Sequence, residues 1–287
     1  MKIAYIIQCH KEPEQINCLF HALDYKDNYL FVHVDAKSNI KDRIIRNTNI
    51  FILDECIDVK WGQISQVQAT LLLFTVVIKS EILFDYVWLI SGQDFPIKSN
   101  EYIHNYLEAN KGCNFCTVYF GASGSWLWQK RIAIYYPQWF ISNMVFPCII
   151  RRLWVLVTGG NKYTFPFFRR KNITNRQIFF GSQWFTITYD CMCFILSTVK
   201  KEPEIMKFFK NTRNPDECFF QTILMNSCYG DTVRENLLYV DFSNGNSHPK
   251  DLNDSDFQIL RDSPKLIARK FDSVNTVKSL EAFMNIS

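Results

Sequence analysis

The chain has 287 residues, 48% of them hydrophobic and 21% charged, which gives a globular composition with material for one large domain or two small ones. The formal net charge of +4, with no Lys/Arg-rich block, gives no basis for nucleic-acid recognition but suits an anionic ligand or an anionic membrane surface. No apolar run is long enough to cross a bilayer, and Met1 to His10 lack the flanks of a signal peptide. The 10 cysteines are scattered, mostly inside apolar runs where a free thiol acts as a small buried hydrophobe, so a reducing, cytoplasmic setting is expected. Cys113 and Cys116 have a zinc-like spacing but no second pair, and read as two reduced thiols.

Lys2 to Gln8 reads as a buried strand, and Glu12-Pro13 opens a helix running to about Leu23. Tyr29 to Val34 is a second strand, Asn39 to Arg46 a short helix, and Ile50 to Leu53 and Ile57 to Lys60 two further strands. This alternation indicates a parallel nucleotide-binding sheet. Neither G-x-G-x-x-G nor G-K-[ST] is present, which argues against a dinucleotide enzyme and a P-loop ATPase. Gln63 to Ser80 reads as a helix with Ile64, Val67, Leu71, Phe74, Val77 and Ile78 on one face. Asp85 to Ile90 is a buried strand ending in Ser91-Gly92-Gln93-Asp94-Phe95-Pro96. Ligands in open α/β sheets bind beyond such strand ends, so this polar loop is an expected substrate site.

Glu101 to Asn110 is a helix and Asn114 to Tyr119 a strand. The Gly/Ser-rich loop that follows carries Trp126, Trp128, Lys130 and Arg131. These suit an acceptor site of aromatic faces and cations, or equally a basic pair beside core tryptophans. Residues 139–158 are the most apolar stretch, broken by Pro147 and Arg151-Arg152. They fit a buried helical hairpin or an interfacial helix, and peripheral membrane contact is the expectation carried forward. Gly159 to Arg176 is a basic, Phe-rich excursion. A helix from about Tyr189 to Lys200 follows, then a helix start at Pro215, a strand from Leu237 to Phe242 and a short helix from Asp254 to Arg261.

Trp61-Gly62-x-x-Ser65-x-Val67-x-Ala69 and Leu89-Ile90-Ser91-Gly92-Gln93-Asp94-Phe95-Pro96-Ile97-Lys98-Ser99 together resemble the core-2/I-branching β-1,6-N-acetylglucosaminyltransferases and peptide O-xylosyltransferases. His33-Val34-Asp35-x-Lys37-Ser38, Gly181-Ser182-x-Trp184-Phe185-x-Ile187-Thr188, Pro215-Asp216-Glu217 with Thr222, and Ala268-Arg269-Lys270-Phe271-Asp272 match further motifs of that family, in order. Taken alone, Asp35 is as well explained by helix capping, Trp184 by a core position and the Asp216-Glu217 pair by the helix macrodipole.

The resemblance implies a GT-A-like (Rossmann-like) α/β fold, a mixed sheet flanked by helices in a single domain with a helical/loop excursion. Residues 1–119 would form the nucleotide-sugar half, 120–176 a variable acceptor- or membrane-facing part, and 177–287 the catalytic and diphosphate-binding half. It implies inverting, metal-independent transfer of GlcNAc or xylose from a UDP-sugar to a saccharide or lipid-linked saccharide. Bacterial surface-polysaccharide synthesis at the cytoplasmic face of the inner membrane is the expected setting.

Glu217 would be the catalytic base, Asp35 the nucleoside contact and Arg269-Lys270 diphosphate cations, with Asp94 and Trp184 shaping the sugar cleft. The second cation that the family places about twenty residues before Lys270 is not an Arg here; Lys250 and His248 are the local candidates. The one Asp-x-Asp, Asp254 to Asp256, sits at an apparent helix start and reads as a cap. A metal-dependent transferase of similar fold and an inactive carbohydrate-binding protein are the alternatives.

Overall fold

β1 (Ile3–Cys9) is buried almost throughout, as a strand covered on both faces must be. It lies between β2 (Asn28–Val34) and β4 (Tyr86–Ser91), parallel to both, and β3 (Ile50–Ile52) extends the sheet beyond β2. Strand periodicity divides the core in two. Ile3, Tyr5 and Ile7 pack with Ile16, Leu19 and Phe20 of helix α1 (Pro13–Ala22). Ala4 and Ile6 pack with Val67, Leu73, Phe74 and Val77 of α2 (Ser65–Lys79). The computed structural model describes residues 1–122, 125, 128–136, 145–158, 170, 176–245 and 248–285, several in 129–158 by backbone alone.

Antiparallel β7 (Phe179–Thr188) pairs with β4 and with β6 (Asn114–Phe120), and β8 (Val233–Arg234) adds parallel to β6. The order β3-β2-β1-β4-β7-β6-β8 is the expected mixed sheet. The chain runs outward from β1 to β3 and then returns to the other side of β1, so the switch point lies between the carboxyl ends of β1 and β4. A second sheet, β5 (Asp94–Pro96), β10 (Ile267–Arg269) and β9 (Leu238–Val240), stands beside that point.

The remaining helices are α3 (Asn100–Ala109), α4 (Val145–Thr158), α5 (Tyr189–Lys201), α6 (Pro203–Lys210), α7 (Phe219–Met225), α8 (Phe257–Asp262) and α9 (Val274–Met284).

Three local expectations are corrected. Residues 39–46 hold only a 3-10 turn, Lys41–Arg43. The Asn17 side chain bonds the Arg43 carbonyl and the Ile45 amide, satisfying backbone groups that a helix would have used internally. Residues 57–60 join no sheet, since the Ile57 amide donates to Nε2 of His33 instead of to a strand. On α2, Ile78 faces solvent, and Thr70 and Leu73 join the buried face.

Asp254–Asp256 is the helix start the sequence suggests. Asn253 and Asp256 form a reciprocal capping box there. Cys9, Cys116, Cys191 and Cys218 are buried free thiols. No helix among the described residues is long and apolar enough to cross a membrane.

Candidate active site

A cleft of about 1510 Å³ opens over the carboxyl ends of β1, β2 and β4. Its walls come from the loop after β1, the start of β7, the turn before α7 and the segments flanking β9 and β10. The backbone approaches closely at two glycines. A side chain at Gly92 would meet Cβ of Cys9 at 2.9 Å, and one at Gly181 would meet the Thr117 carbonyl oxygen at 1.8 Å.

At one end, Asp35 follows β2. Its Oδ1 accepts from the Lys37 amide at 2.9 Å and its Oδ2 from Lys37 Nζ at 3.2 Å. This is a local turn, not a helix cap, and it leaves Asp35 on the cleft wall.

Glu217 also lines the cleft, in the 3-10 turn Pro215–Glu217. Asn214, held in a left-handed conformation at φ 50°, donates to Glu217 Oε1 at 3.0 Å. Arg131, which also lines the cleft, donates to Oε2 at 2.5 Å. Asp216 beside it is buried with Oδ1 unpaired. Burial, reinforced by the Glu217 charge, pushes its carboxyl up to about 7.

Arg269 and Lys270 reach the cleft from the end of β10. The Arg269 guanidinium lies over the Trp184 ring, 4.1 Å from its centroid, and its Nε is 3.5 Å from Asp94 Oδ1. Lys270 Nζ is 3.2 Å from Asp251.

Asp94 does not line the cleft. It is 0% exposed, accepts from the Ser91 amide at 2.8 Å and the Ser91 hydroxyl at 2.9 Å, and faces Arg269. From the short strand β5 it holds the turn after β4 and faces the Arg269 side chain. Lys250 is likewise turned away, 2.5 Å from Asp256 in the capping box. His248 is exposed on the cleft rim. Trp126 and the Lys130 side chain lie outside the described residues.

Several cleft residues escaped the sequence reading. Gln183 donates to Gln8 at 3.2 Å and faces Gln66 at 3.4 Å, forming a polar floor from three separate elements. Nothing in local sequence pairs these glutamines. Lys11 and His10 had a signal, their place directly after the first strand of a parallel sheet.

Residues 3–261 match the model of the Core-2/I-Branching enzyme family. The chain belongs to that family. The Arg269-Lys270 segment lies beyond the matched stretch. Among the relatives, the human N-acetyllactosaminide β-1,6-N-acetylglucosaminyl-transferase is 26% identical over 227 residues, covering 77% of this chain and 52% of that protein. The mouse β-1,3-galactosyl-O-glycosyl-glycoprotein β-1,6-N-acetylglucosaminyltransferase 4 is 26% identical over 230 residues, with 77% and 46% covered. Human xylosyltransferase 1 is 22% identical over 301 residues, spanning 96% of this chain and 29% of that protein. The chain thus spans about half the length, or less, of these relatives. The mixed sheet flanked by helices is the GT-A-like arrangement of the family.

Proposed function

We propose that the chain is an inverting glycosyltransferase that moves a sugar, GlcNAc or xylose, from a UDP-sugar to a saccharide hydroxyl with formation of a β-linkage. The observation that carries this reading is the placement of Asp35, Glu217 and the Arg269-Lys270 pair around one cleft at the switch point of the sheet. The acceptor oxygen attacks the anomeric carbon as the bond to the diphosphate breaks on the opposite face, and Glu217 takes the hydroxyl proton. UDP leaves with the bonding electron pair, and Arg269 and Lys270 offset the charge it gains. Asn214 and Arg131 hold the two Glu217 oxygens. Asp35 binds the nucleoside, and Trp184 offers a partly buried aromatic wall.

We read the transfer as metal-independent. Asp256, from the one Asp-x-Asp, is engaged by Lys250 and the cap. A donor screen tests both points. The melting temperature should rise with UDP, not with GDP, CMP or dTDP, and the rise should survive EDTA. At ~100 times the dissociation constant the stabilisation is roughly 2.7 kcal/mol. A shift that requires metal would replace the metal-free site, and no shift with any nucleotide would favour a saccharide-binding protein.

We further propose that α4 touches a membrane surface. Phe146, Ile149, Leu153, Leu156 and Val157 form an exposed apolar stripe on this helix, flanked by exposed Arg152. A lipid-linked saccharide at the cytoplasmic face of a bacterial inner membrane, used in surface-polysaccharide synthesis, is an acceptor such contact would bring within reach. Loss of vesicle binding on substitution of Leu153 and Leu156 by Gln is expected; unchanged binding would remove the membrane proposal.

A further inference from the structure

We propose that Lys11 supplies a further cation to the donor diphosphate site, in addition to Arg269 and Lys270. The inference rests on the UDP-sugar reading above and adds a residue to it. The position near Ser247 to Lys250 cannot provide this charge through Lys250, which lies 2.5 Å from Asp256 and 4.0 Å from Asp241 and is absent from the cleft wall.

Lys11 sits on the loop after β1, at the switch point, and lines the cleft. Its Nζ pairs with Asp272, two residues beyond Lys270. That contact belongs to a larger interlock. Gln93 Nε2 donates to the same Asp272 oxygen at 2.8 Å, the Phe271 amide donates to the Gln93 carbonyl at 2.9 Å, and Gln15 donates to the Phe271 carbonyl at 3.0 Å. The loop carrying Lys11 is therefore tied to the loop carrying Lys270.

The same loop is tied to the nucleoside end. The Ser38 hydroxyl donates to the His10 carbonyl at 2.6 Å, and the Asp35 amide donates to the Cys9 carbonyl at 2.9 Å. The loop carrying Lys11 is thus linked both to the Asp35 segment and to the Lys270 segment, the two ends that a diphosphate joining nucleoside to sugar would span.

The state of the charges fits this role. Lys11 and Lys270 are each held by a single carboxylate that is well exposed, Asp272 and Asp251. Such pairs contribute little and exchange readily for a more highly charged anion. Three other described cations of the cleft are committed elsewhere, while Arg234 meets only the Asp231 and Val233 carbonyls among the described residues. Lys37 holds Asp35, Asp58 and the Val59 carbonyl, Arg131 holds Glu217, and Lys265 holds Glu235 and the Asn236 carbonyl.

The test is calorimetric titration of the whole chain with UDP and, separately, uridine. Lys11→Met should weaken UDP about tenfold, the scale of one lost charge-assisted bond, and leave uridine unchanged. Lys11→Arg should retain most of the UDP affinity. A role limited to anchoring Asp272 would move both ligands together, so the UDP-to-uridine ratio is the deciding quantity. An unchanged ratio in Lys11→Met, or a fall caused instead by Lys250→Met or His248→Gln, overturns the assignment while leaving the UDP-sugar reading intact. Absence of UDP binding by the unsubstituted protein overturns both.

Discussion

Replacing Asp94 by Asn changes one charge and almost no volume, so its cost measures what the carboxylate does. Asp94 is 0% exposed, and the side chain of its partner Arg269 is 12% exposed. The carboxylate takes two bonds from Ser91 as well as facing the guanidinium. An amide accepts through only one of its two heavy atoms and turns a donor towards Ser91 or Arg269. It also leaves a buried guanidinium without its counter-charge. Breaking a buried pair in this way costs about 3 kcal/mol or more. At roughly 2–4 °C per kcal/mol for a domain near this size, the melting temperature should fall by about 6–12 °C.

Urea unfolding and calorimetry of Asp94→Asn, Arg269→Met and the double variant would give the coupling directly. The double variant should cost less than the sum by about 1–3 kcal/mol. If Asp94→Asn lost under about 1 kcal/mol, or if the two costs simply added, the positioning role would be refuted. A raised KM with unaltered stability would return Asp94 to the sugar wall.

Gly181 faces the bulge where β6 shifts register between Cys116 and Val118, and an added Cβ would lie 1.8 Å from the Thr117 carbonyl oxygen. Gly181→Ala should therefore cost at least about 2 kcal/mol in urea unfolding, and a neutral result would mean the strands separate at no cost. Asp216 should impose a pH dependence. Its carboxyl is raised from 3.8 to about 7 by burial and by Glu217, so the folded state keeps a proton that the unfolded chain releases. The stability this group contributes is present below pH 4 and is lost as pH rises through 7. Asp216→Asn should gain on the unsubstituted protein across that window and hold a constant difference above it. A difference in unfolding free energy that does not vary between pH 4 and 7 would contradict the assignment.

The central strands were legible because β1, β2 and β4 are buried on both faces and so read as unbroken apolar runs. The small sheet was harder. β5 is three residues long and pairs with β10, far along the chain, so Asp94 looked like part of an open loop. Helix 39–46 has reasonable spacing but loses its backbone bonds to Asn17, a competition that only tertiary structure reveals. At the site, Asp35, Glu217, Arg269 and Lys270 were found through motif resemblance, and the structure gathers them around one cleft. The bond from Arg131 to Glu217 joins residues 86 positions apart, and neither residue's local sequence encodes it.

Glu217→Gln, assayed for sugar transfer from a UDP-sugar with UDP binding measured alongside, tests the transferase account most directly. Loss of a general base should lower kcat by about 10²–10⁴-fold, while UDP affinity stays within a small factor because the nucleotide contacts lie elsewhere in the cleft. Transfer at an undiminished rate by a folded, UDP-binding Glu217→Gln protein would contradict the account.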